Sequence, residues 1–284
     1  MFRADTPIFV ATDLQPGSDD AIREGHARAA AARVPLVVCH VLDGDVEIAD
    51  ANAQLVGRVQ ELTGRERGDF EVILGEGAPA EIIAEQALRR SAGLICVGPG
   101  RTHLVVGDVT GQVIRNAHAP VLVARPPVES GVVVACTDFS DGSYPALVSG
   151  DAEAQRIGGD LVAMHVVPID TMVEGDVMGM GLGMAGAASV NAPVVTDGLR
   201  VAAEARLARA LSARHIDARL LAVAGEPALQ ILRVASSVPA RLLVVGTHGR
   251  KGWRRFFVGS VAEQIAHEAP CSVLIERLNP PLNS

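Results

Sequence analysis

The chain alternates short runs of apolar residues with longer segments in which apolar residues recur every three or four positions. In the first half the apolar runs predict strands at about 7–12, 36–42, 70–74, 93–97 and 121–124. The intervening periodic segments predict helices over Asp19 to Arg33, Asp50 to Thr63, Pro79 to Ser91 and Gly107 to Asn116. Strands that alternate with helices of this length are joined by right-handed crossovers, which predicts a parallel sheet.

Some of the predicted strands are apolar at every position rather than at alternate positions. Val132 to Ala135 and Leu242 to Val245 are examples. Strands of this kind are buried on both faces, because helices cover both sides of a parallel sheet. The sequence therefore predicts an α/β fold with helices on both faces of the sheet.

The pattern occurs twice along the chain. Thr12-Asp13, followed by Gly17-Ser18, recurs 125 residues later as Thr137-Asp138, followed by Gly142-Ser143. Other segments match in the same order: Leu36–Val41 with Leu161–Val166, Gly77–Ala80 with Gly225–Ala228, Leu94–Gly98 with Leu242–Gly246, and Val121–Val123 with Val273–Ile275. A repeat of this length predicts two units of similar structure.

Two prolines, Pro126 and Pro127, end the last strand of the first copy and begin a short linker that runs to Ser130. We therefore expect two domains, 1–127 and 131–278. Each domain is predicted to contain its own five-stranded parallel sheet, so that the chain would carry two such sheets in tandem.

Composition narrows the class of protein. The 284 residues carry a formal net charge of −8, which argues against a nucleic-acid binder because such proteins need a basic surface. The four cysteines are scattered singly without the spacing of a zinc site, which favours a reducing, cytoplasmic compartment. The apolar run within Met1 to Val10 is too short for a signal peptide. The uncharged segment Val177 to Thr196 is too rich in glycine to form a good membrane span, so no membrane partner is expected.

A glycine-rich and basic loop follows the fourth strand of the second copy. Gly246, Gly249 and Gly259 would let the backbone approach an anion closely, because glycine has no Cβ. Ser260 then falls at the start of a helix, where free amides and the helix dipole favour phosphate. The same loop carries the basic residues Arg250, Lys251, Arg254 and Arg255. It is either a phosphate-binding loop or a solvated loop that is rich in glycine and arginine.

Asp138 follows the first strand of the second copy. In an open parallel sheet, ligands bind beyond the carboxyl ends of the strands where the strand order reverses, so Asp138 should share an edge with the glycine-rich loop. Its carboxylate could accept hydrogen bonds from both hydroxyls of a ribose, or serve only as a turn or helix-cap residue. The chain has no GxxxxGK[ST] motif, and a GxGxxG that starts at Gly98 fails at His103.

These residues together resemble the universal stress protein family in its tandem two-domain form. ATP-binding members of that family carry G-x2-G-x9-G-[ST], and the second copy matches it with the same gaps at Gly246, Gly249, Gly259 and Ser260. The resemblance covers essentially the whole chain, twice, and implies an adenine nucleotide alpha hydrolase-like, Rossmann-like fold that binds ATP. The contact residues that it implies are Thr137, Asp138, Val166, Val245, Gly246, Gly249, Arg250, Gly259, Ser260 and Val261.

The implied contacts divide according to the parts of the nucleotide. Asp138 would contact the ribose, and the backbone of Val166 would meet the adenine. Val245 and Gly246 would line the adenosine. The phosphates would be held, through backbone amides and the serine hydroxyl, by Gly249, Gly259, Ser260 and Val261.

The first copy departs from this pattern at the phosphate end. Gly98 to Gly107 spans nine positions, against thirteen from Gly246 to Gly259, so the loop is four residues shorter. Asp108 stands where the second copy has Ser260, and a carboxylate at that place would repel a phosphate. We therefore predict that the first copy binds nucleotide weakly or not at all.

Two classes of function remain open. No Ser-His-Asp spacing or HExxH motif is present, and only Asp138 and Asp141 stand where a Mg²⁺ contact could form. A nucleotide-dependent regulatory protein of the stress response is therefore favoured over a slow ATPase or an autophosphorylating enzyme. His40 and His165, at matching places near the end of the second strand, are predicted to be packed core histidines.

The remaining expectations concern a long connection and the assembly of the copies. The segment Pro168 to Pro193, which is rich in methionine and glycine, would be either a lid over the adenine or a loop without a role. The last strands of the two copies would be exposed sheet edges, and the resemblance implies that they pair within the chain as a pseudo-dimer. A homodimer is the other expected assembly.

Overall fold

The computed structural model describes residues 6–42, 44, 47–100, 109–168, 192–247 and 259–277. The first half consists of β1 (Ile8–Ala11), α1 (Asp19–Ala32), β2 (Leu36–Leu42), α2 (Ile48–Thr63), β3 (Glu71–Glu76), α3 (Pro79–Arg89), β4 (Leu94–Val97), α4 (Val109–Asn116) and β5 (Val121–Val123). The second half consists of β6 (Val132–Cys136), α5 (Tyr144–Ile157), β7 (Asp160–Val167), α6 (Ala192–Ser212), β8 (Arg219–Ala224), α7 (Pro227–Ser237), β9 (Leu242–Gly246), α8 (Ser260–Glu268) and β10 (Ser272–Glu276). Every strand and helix predicted for the first half is present.

The ten strands form one sheet in the order β3-β2-β1-β4-β5-β10-β9-β6-β7-β8. Within each half the neighbouring strands are parallel, as where Ile8 lies between Leu36 and Leu94. The halves meet where β5 and β10 run antiparallel, with Val121 opposite Ile275. The predicted α/β class is confirmed. The two five-stranded sheets are not separate, however, because their last strands join them into one continuous sheet.

Successive residues of a strand point to opposite faces of the sheet. Because the strands are apolar on both faces, helices cover both. In β1, Phe9 and Ala11 belong to one buried cluster, whereas Ile8 and Val10 belong to the other. The first cluster is covered by α3, α4, α7 and α8, and the second by α1, α2, α5 and α6. Each cluster contains residues of both halves, so the two halves share their hydrophobic cores.

The ends of several helices follow from local sequence. Pro79 and Pro227 begin α3 and α7, where a missing N–H has no cost. The carboxylate of Glu226 accepts hydrogen bonds from the backbone N–H groups of Ala228 and Leu229, at 3.1 and 2.6 Å, and so caps α7.

The Met- and Gly-rich segment between β7 and α6 lies outside the described residues, apart from its first and last few positions. Its interpretation as a lid or as a loop without a role therefore stays a prediction. Among the described residues, no helix combines the length and the apolar composition that a membrane crossing requires.

The four cysteines lie in or beside strands and are all buried. Burial raises the pKa of the Cys39, Cys96 and Cys136 thiols to about 12 and that of Cys271 to about 11. At neutral pH they are therefore protonated thiols, and they pack as small apolar side chains.

A row of alternating charges crosses the junction of the two halves. Arg28 of α1 donates to Glu153 of α5 at 2.9 Å, and Arg28 also pairs with Glu24 one turn earlier. Arg156 pairs with Glu153 at 2.8 Å, and Arg241 lies 3.5 Å from Glu24. Although burial by itself lowers the pKa of Arg28, the carboxylates of Glu153 and Glu24 raise it above its usual range, so the guanidinium stays charged.

Arg28 and Glu153 occupy equivalent positions in the two copies, because they are separated by 125 residues, which is the offset of the repeat. A residue that contacts its own counterpart lies on the pseudo-two-fold axis that relates the halves. Two identical halves would bring like charges together at this point, and both side chains are about 95% buried. The difference between arginine and glutamate is what makes the junction complementary.

We predict that reversing one charge of this pair destabilises the fold strongly. Arg28→Glu should lower the free energy of unfolding by about 3–5 kcal/mol, because it leaves buried carboxylates facing one another. Adding Glu153→Arg should recover only part of the loss, since Glu24 and Arg156 keep their original charges. Urea denaturation measures both changes.

The matched control is Arg89→Glu, because the Arg89 and Glu85 side chains are exposed by 66% and 47%. Its cost should stay below about 1 kcal/mol. A loss for Arg28→Glu that is no larger than the loss for Arg89→Glu would contradict the proposed importance of the buried pair.

Candidate functional site

The carboxyl ends of β6 and β9 form the topological switch point of the second half, here named the crevice. These two strands are parallel neighbours, with Val134 opposite Leu243, and the chain continues from β6 to β7 on the other side. The strand order therefore reverses between β6 and β9. In open α/β sheets this is the place where ligands bind, because the loops that follow the two strands diverge.

The turn after β6 holds the first two of the residues expected at the site. The Thr137 hydroxyl lies 2.7 Å from the Ser143 hydroxyl and accepts a hydrogen bond from the Phe139 N–H at 3.0 Å. The Oδ1 atom of Asp138 accepts hydrogen bonds from the N–H and the hydroxyl of Ser140, at 2.9 and 2.5 Å. Phe139 has a φ of 65°, in the left-handed region that a non-glycine residue seldom adopts. The turn is therefore fixed by side-chain hydrogen bonds, with Asp138 half-buried at the crevice.

Gly246, at the end of β9, packs directly against this turn. A Cβ at position 246 would lie 2.7 Å from the carbonyl oxygen of Gly142 and 3.0 Å from the Cα of Ser143. No larger residue fits without moving backbone, so glycine is required here by the close approach of two loops. The two sides of the crevice, after β6 and after β9, are thereby held in contact.

The expected phosphate end begins at Gly259 and α8. The Gly259 N–H donates to the carbonyl oxygen of Thr247 at 2.7 Å. The Thr247 N–H donates to the backbone carbonyl oxygen of Glu276 in β10 at 2.9 Å. Gly259 is the N-cap of α8, so Ser260 and Val261 are its first two helical residues. The first amides of a helix have no acceptor within the helix, which suits them to an anion. Gly249 and Arg250 lie outside the described residues, as do His248 and Asp108.

Val166 and Val245 complete the set of expected residues. The side chains of both are buried. The carbonyl oxygen of Met164 accepts from the Thr137 N–H at 3.0 Å, so Met164 directs its backbone groups toward β6. Residues two apart along a strand face the same edge, so Val166 directs its backbone groups to the same side, beyond the end of β6. This direction fits a backbone contact with a ligand in the crevice.

Sequence reasoning missed a stack of side chains behind the turn. The ring centroids of Phe139 and His165 are 4.1 Å apart, and the Arg206 guanidinium lies 4.4 Å from the centre of the Phe139 ring. The His165 Nδ1 lies 2.7 Å from the carbonyl oxygen of Thr137 and must donate, since that oxygen only accepts. His165 is thus a packed histidine, as predicted, and it ties β7 to the turn. No local sequence pattern marks Arg206, which comes from α6.

The first half builds nearly the same turn. The Thr12 and Ser18 hydroxyls are 2.7 Å apart, and the His40 Nδ1 lies 2.9 Å from the carbonyl oxygen of Thr12. Asp13 differs from Asp138 in its partners, because its Oδ1 accepts from the Gln15 N–H at 3.0 Å and the Ser18 hydroxyl at 2.8 Å. The two crevices are therefore alike at the end of the first strand in each half.

The described residues contain no group of three or more histidine, cysteine or carboxylate side chains that could hold a metal ion. Asp138 and Asp141 together would supply at most two carboxylates to a Mg²⁺ ion. A site of this kind relies on ligands from a phosphate, because Mg²⁺ prefers six oxygen ligands.

The doubly wound sheet, with its crevice at the switch point, defines a Rossmann-like α/β protein. The chain belongs to the universal stress protein family, whose family model matches residues 6–125 and again residues 130–277. A universal stress protein of Mycobacterium bovis is 30% identical over 239 residues, which cover 78% of this chain and 67% of the relative. A universal stress protein of Mycobacterium tuberculosis is 25% identical over 299 residues, which cover 95% of this chain and 96% of the relative.

The fold is also that of solved structures in the same family. A universal stress protein from Archaeoglobus fulgidus superposes with a TM-score of 0.66, covering 96% of this chain and 97% of its own. Its sequence identity is only 14%, so the likeness concerns the fold. The recognition of a tandem universal stress protein from sequence is confirmed.

We predict that Gly246→Ala destabilises the protein by about 1–3 kcal/mol, because the new Cβ would force the β6 turn away from β9. The control is Gly198→Ala in α6, where a Cβ meets nothing within 4 Å. That change should stabilise by about 0.5–1 kcal/mol, since alanine favours a helix interior. Chemical denaturation of the two variants compares them, and equal effects would argue against the close approach at Gly246.

Proposed function

We propose that this protein binds ATP, mainly in its second domain, and acts as a nucleotide-dependent regulatory protein of the stress response. The observation that supports a ligand site most is the contact between the two sides of the β6/β9 crevice. Gly98 makes the same contact with Gly17 and Ser18 in the first half, so the preference for the second domain rests on its phosphate end, which carries Ser260. Gly246 lies against Gly142 and Ser143, which brings the turn that carries Asp138 to the strand that leads into the glycine-rich loop. A carboxylate for a ribose and helix amides for phosphates then lie at one crevice.

The proposed binding mode assigns each end of the crevice to a part of the nucleotide. Asp138 accepts from the ribose hydroxyls, with Thr137 fixing the turn on which it lies. The adenosine lies against Val245 and Gly246, and adenine meets the backbone of Val166. Gly249, Arg250, Ser260 and Val261 hold the phosphates. Gly259 lines them without a Cβ but does not donate to them, contrary to the expectation from sequence, because its N–H already donates to the Thr247 carbonyl oxygen. Any Mg²⁺ enters with the triphosphate, because Asp138 and Asp141 supply at most two carboxylates for it and the described residues hold no larger group of metal ligands.

Regulation is favoured over catalysis because of the groups that surround the crevice. Phosphoryl transfer needs a residue that positions or activates the attacking group, in addition to a metal. The carboxylate of Asp138 is engaged by Ser140 within its own turn, and His165 is buried with its Nδ1 donating to a carbonyl oxygen. Neither group is arranged as a general base toward the crevice. Slow hydrolysis or autophosphorylation is the alternative that the assay below separates.

The first domain has a different role in this proposal. Its turn repeats the threonine–serine and histidine hydrogen bonds of the second, but its phosphate loop is shorter and has Asp108 in place of the serine. A carboxylate at the start of a helix occupies the position that a phosphate would need. The first domain therefore binds nucleotide weakly or not at all.

We predict that the purified protein releases an adenine nucleotide on denaturation and binds ATP in calorimetry. Asp138→Ala should weaken ATP binding by about 10- to 100-fold, because hydrogen bonds to a charged group contribute about 1.5–3 kcal/mol. Asp13→Ala is the matched control, since Asp13 holds the equivalent place in the first domain. It should leave ATP binding unchanged.

Three results would decide against this function or modify it. Wild-type protein that carries no adenine nucleotide and shows no affinity for ATP would eliminate it. Equal losses for the Asp138 and Asp13 variants would place nucleotide in both domains. Time-dependent release of ADP and phosphate that Asp138→Ala abolishes would favour the enzymatic alternative.

A second variant tests the phosphate end alone. We predict that Ser260→Asp weakens ATP binding by about tenfold or more, because it recreates the carboxylate of the first domain at the start of α8. Adenosine binding should change by less than about twofold, since adenosine has no phosphate. The helix itself should stay intact, because an acidic residue in its first turn is favourable. An unchanged affinity for ATP would remove Ser260 from the site.

A further inference from the structure

The last strand of each half is followed by an arginine that reaches into the other half. Arg125 comes two residues after β5, and Arg277 comes directly after β10. The Arg125 guanidinium donates to the carbonyl oxygens of Ala266 at 2.6 Å and His267 at 3.1 Å, at the C-terminal end of α8. The Arg277 guanidinium donates to the carbonyl oxygens of Ile114 and Arg115, at the C-terminal end of α4.

These contacts cap helix ends that would otherwise lack partners. The last carbonyl groups of a helix have no intrahelical donor, and they carry the negative end of the helix dipole. Arg125 is 92% buried and also donates to the carbonyl oxygen of Cys271 at 3.3 Å. Its positive charge therefore neutralises the C-terminal end of α8 from within the interface between the halves.

The other end of α8 is also held by the first half. Arg115 of α4 pairs with Glu263, which lies in the first turn of α8. This pair places a guanidinium beside the Glu263 carboxylate, in the turn that carries the amides of Ser260 and Val261. The helix that begins at the expected phosphate end is thus contacted by first-half arginines at both its first and its last turn.

We propose that Arg125 and Arg115 are positioning residues for the nucleotide site of the second domain, so that the first domain regulates ATP binding through α8. This inference rests on the proposed function. Arg125 fixes the axial position of α8 and stabilises its dipole, and Arg115 removes the repulsion that Glu263 would exert on phosphate. Because coupling between sites is reciprocal, bound ATP in turn strengthens the docking of the two halves.

The pseudo-symmetry of the chain supplies a matched control. Arg125→Met and Arg277→Met each remove one interfacial helix cap while keeping an apolar stem of similar length. Arg125 contacts the helix of the nucleotide-binding half, whereas Arg277 contacts the helix of the half whose phosphate loop has diverged. If both arginines served only to stabilise the fold, the two variants would have equal effects on the affinity for ATP.

Calorimetry with ATP and with adenosine on the full chain tests the inference. Arg125→Met should raise the Kd for ATP about three- to tenfold and leave the Kd for adenosine unchanged. Arg125→Lys should restore part of the affinity. Arg277→Met removes a contact to the Arg115 carbonyl oxygen and leaves the Arg115 guanidinium in place, so it should weaken ATP binding by less than about twofold. Arg115→Met should also weaken ATP binding, and adding Glu263→Gln should restore it.

Hydrogen exchange of the ATP-free chain provides a readout that does not depend on ligand. Arg125→Met should raise the exchange of the α8 amides and Arg277→Met that of the α4 amides. Two outcomes would contradict the inference while the proposed function stands, and in both the wild-type protein binds ATP. In one, the Arg125 and Arg277 variants lose the same amount of affinity for ATP; in the other, neither variant loses any. If the wild type binds no ATP, the proposed function fails, and the coupling of α8 to nucleotide fails with it.

Discussion

The antiparallel pairing of β5 with β10 is the interaction on which the rest of the structure depends. Each half is a parallel sheet whose last strand would otherwise be an exposed edge of valine, leucine and isoleucine, and such edges pair with whatever strand is available. Pairing within the chain satisfies both edges at once. It also makes the two hydrophobic clusters continuous across the halves, so that neither half has a core of its own.

The same pairing fixes a pseudo-two-fold axis, and the axis determines which residues had to diverge. A residue on the axis meets its own counterpart, so Arg28 must face something other than arginine, and Glu153 is what it faces. A residue off the axis meets a different element of the other half. Arg125 and Arg277 can therefore be identical, since each caps a helix end rather than its twin. Symmetry thus explains both a difference and a likeness between the copies.

The two crevices are alike at the turn after the first strand of each half and differ at the phosphate end. The turns after β1 and β6 keep the same threonine and serine pair and the same histidine contact, because these hydrogen bonds hold the strand ends together in either half. The phosphate end differs between the copies in the length of its sequence and in the residue that matches Ser260, which is Asp108 in the first copy. In the proposed function, this difference lets one half bind nucleotide while the other half supplies contacts to α8.

Much of this was accessible from the sequence, because the relevant signals are local. Apolar runs and helical periodicity gave the elements to within about two residues, and the repeat gave two units of one kind. The spacing of Gly246, Gly249, Gly259 and Ser260 predicted a phosphate end after β9, and within the described residues the close approach at Gly246 accounts for one of these glycines. The repeat likewise predicted that His40 and His165 are packed core histidines. His165 is buried, whereas His40 is only half-buried.

Only the tertiary structure decided the contacts between residues that are far apart in the chain. The pairing of the last strands was implied by the resemblance and is confirmed, but its antiparallel register was not. This register, the Arg28–Glu153 pair and the capping of α8 by Arg125 each link residues more than 120 positions apart. A single arginine or glutamate leaves no periodicity or motif that names its partner, because any helix end or opposite charge could satisfy it. The register of β5 against β10 brings these particular groups together, and that register follows from how two folded halves pack against each other.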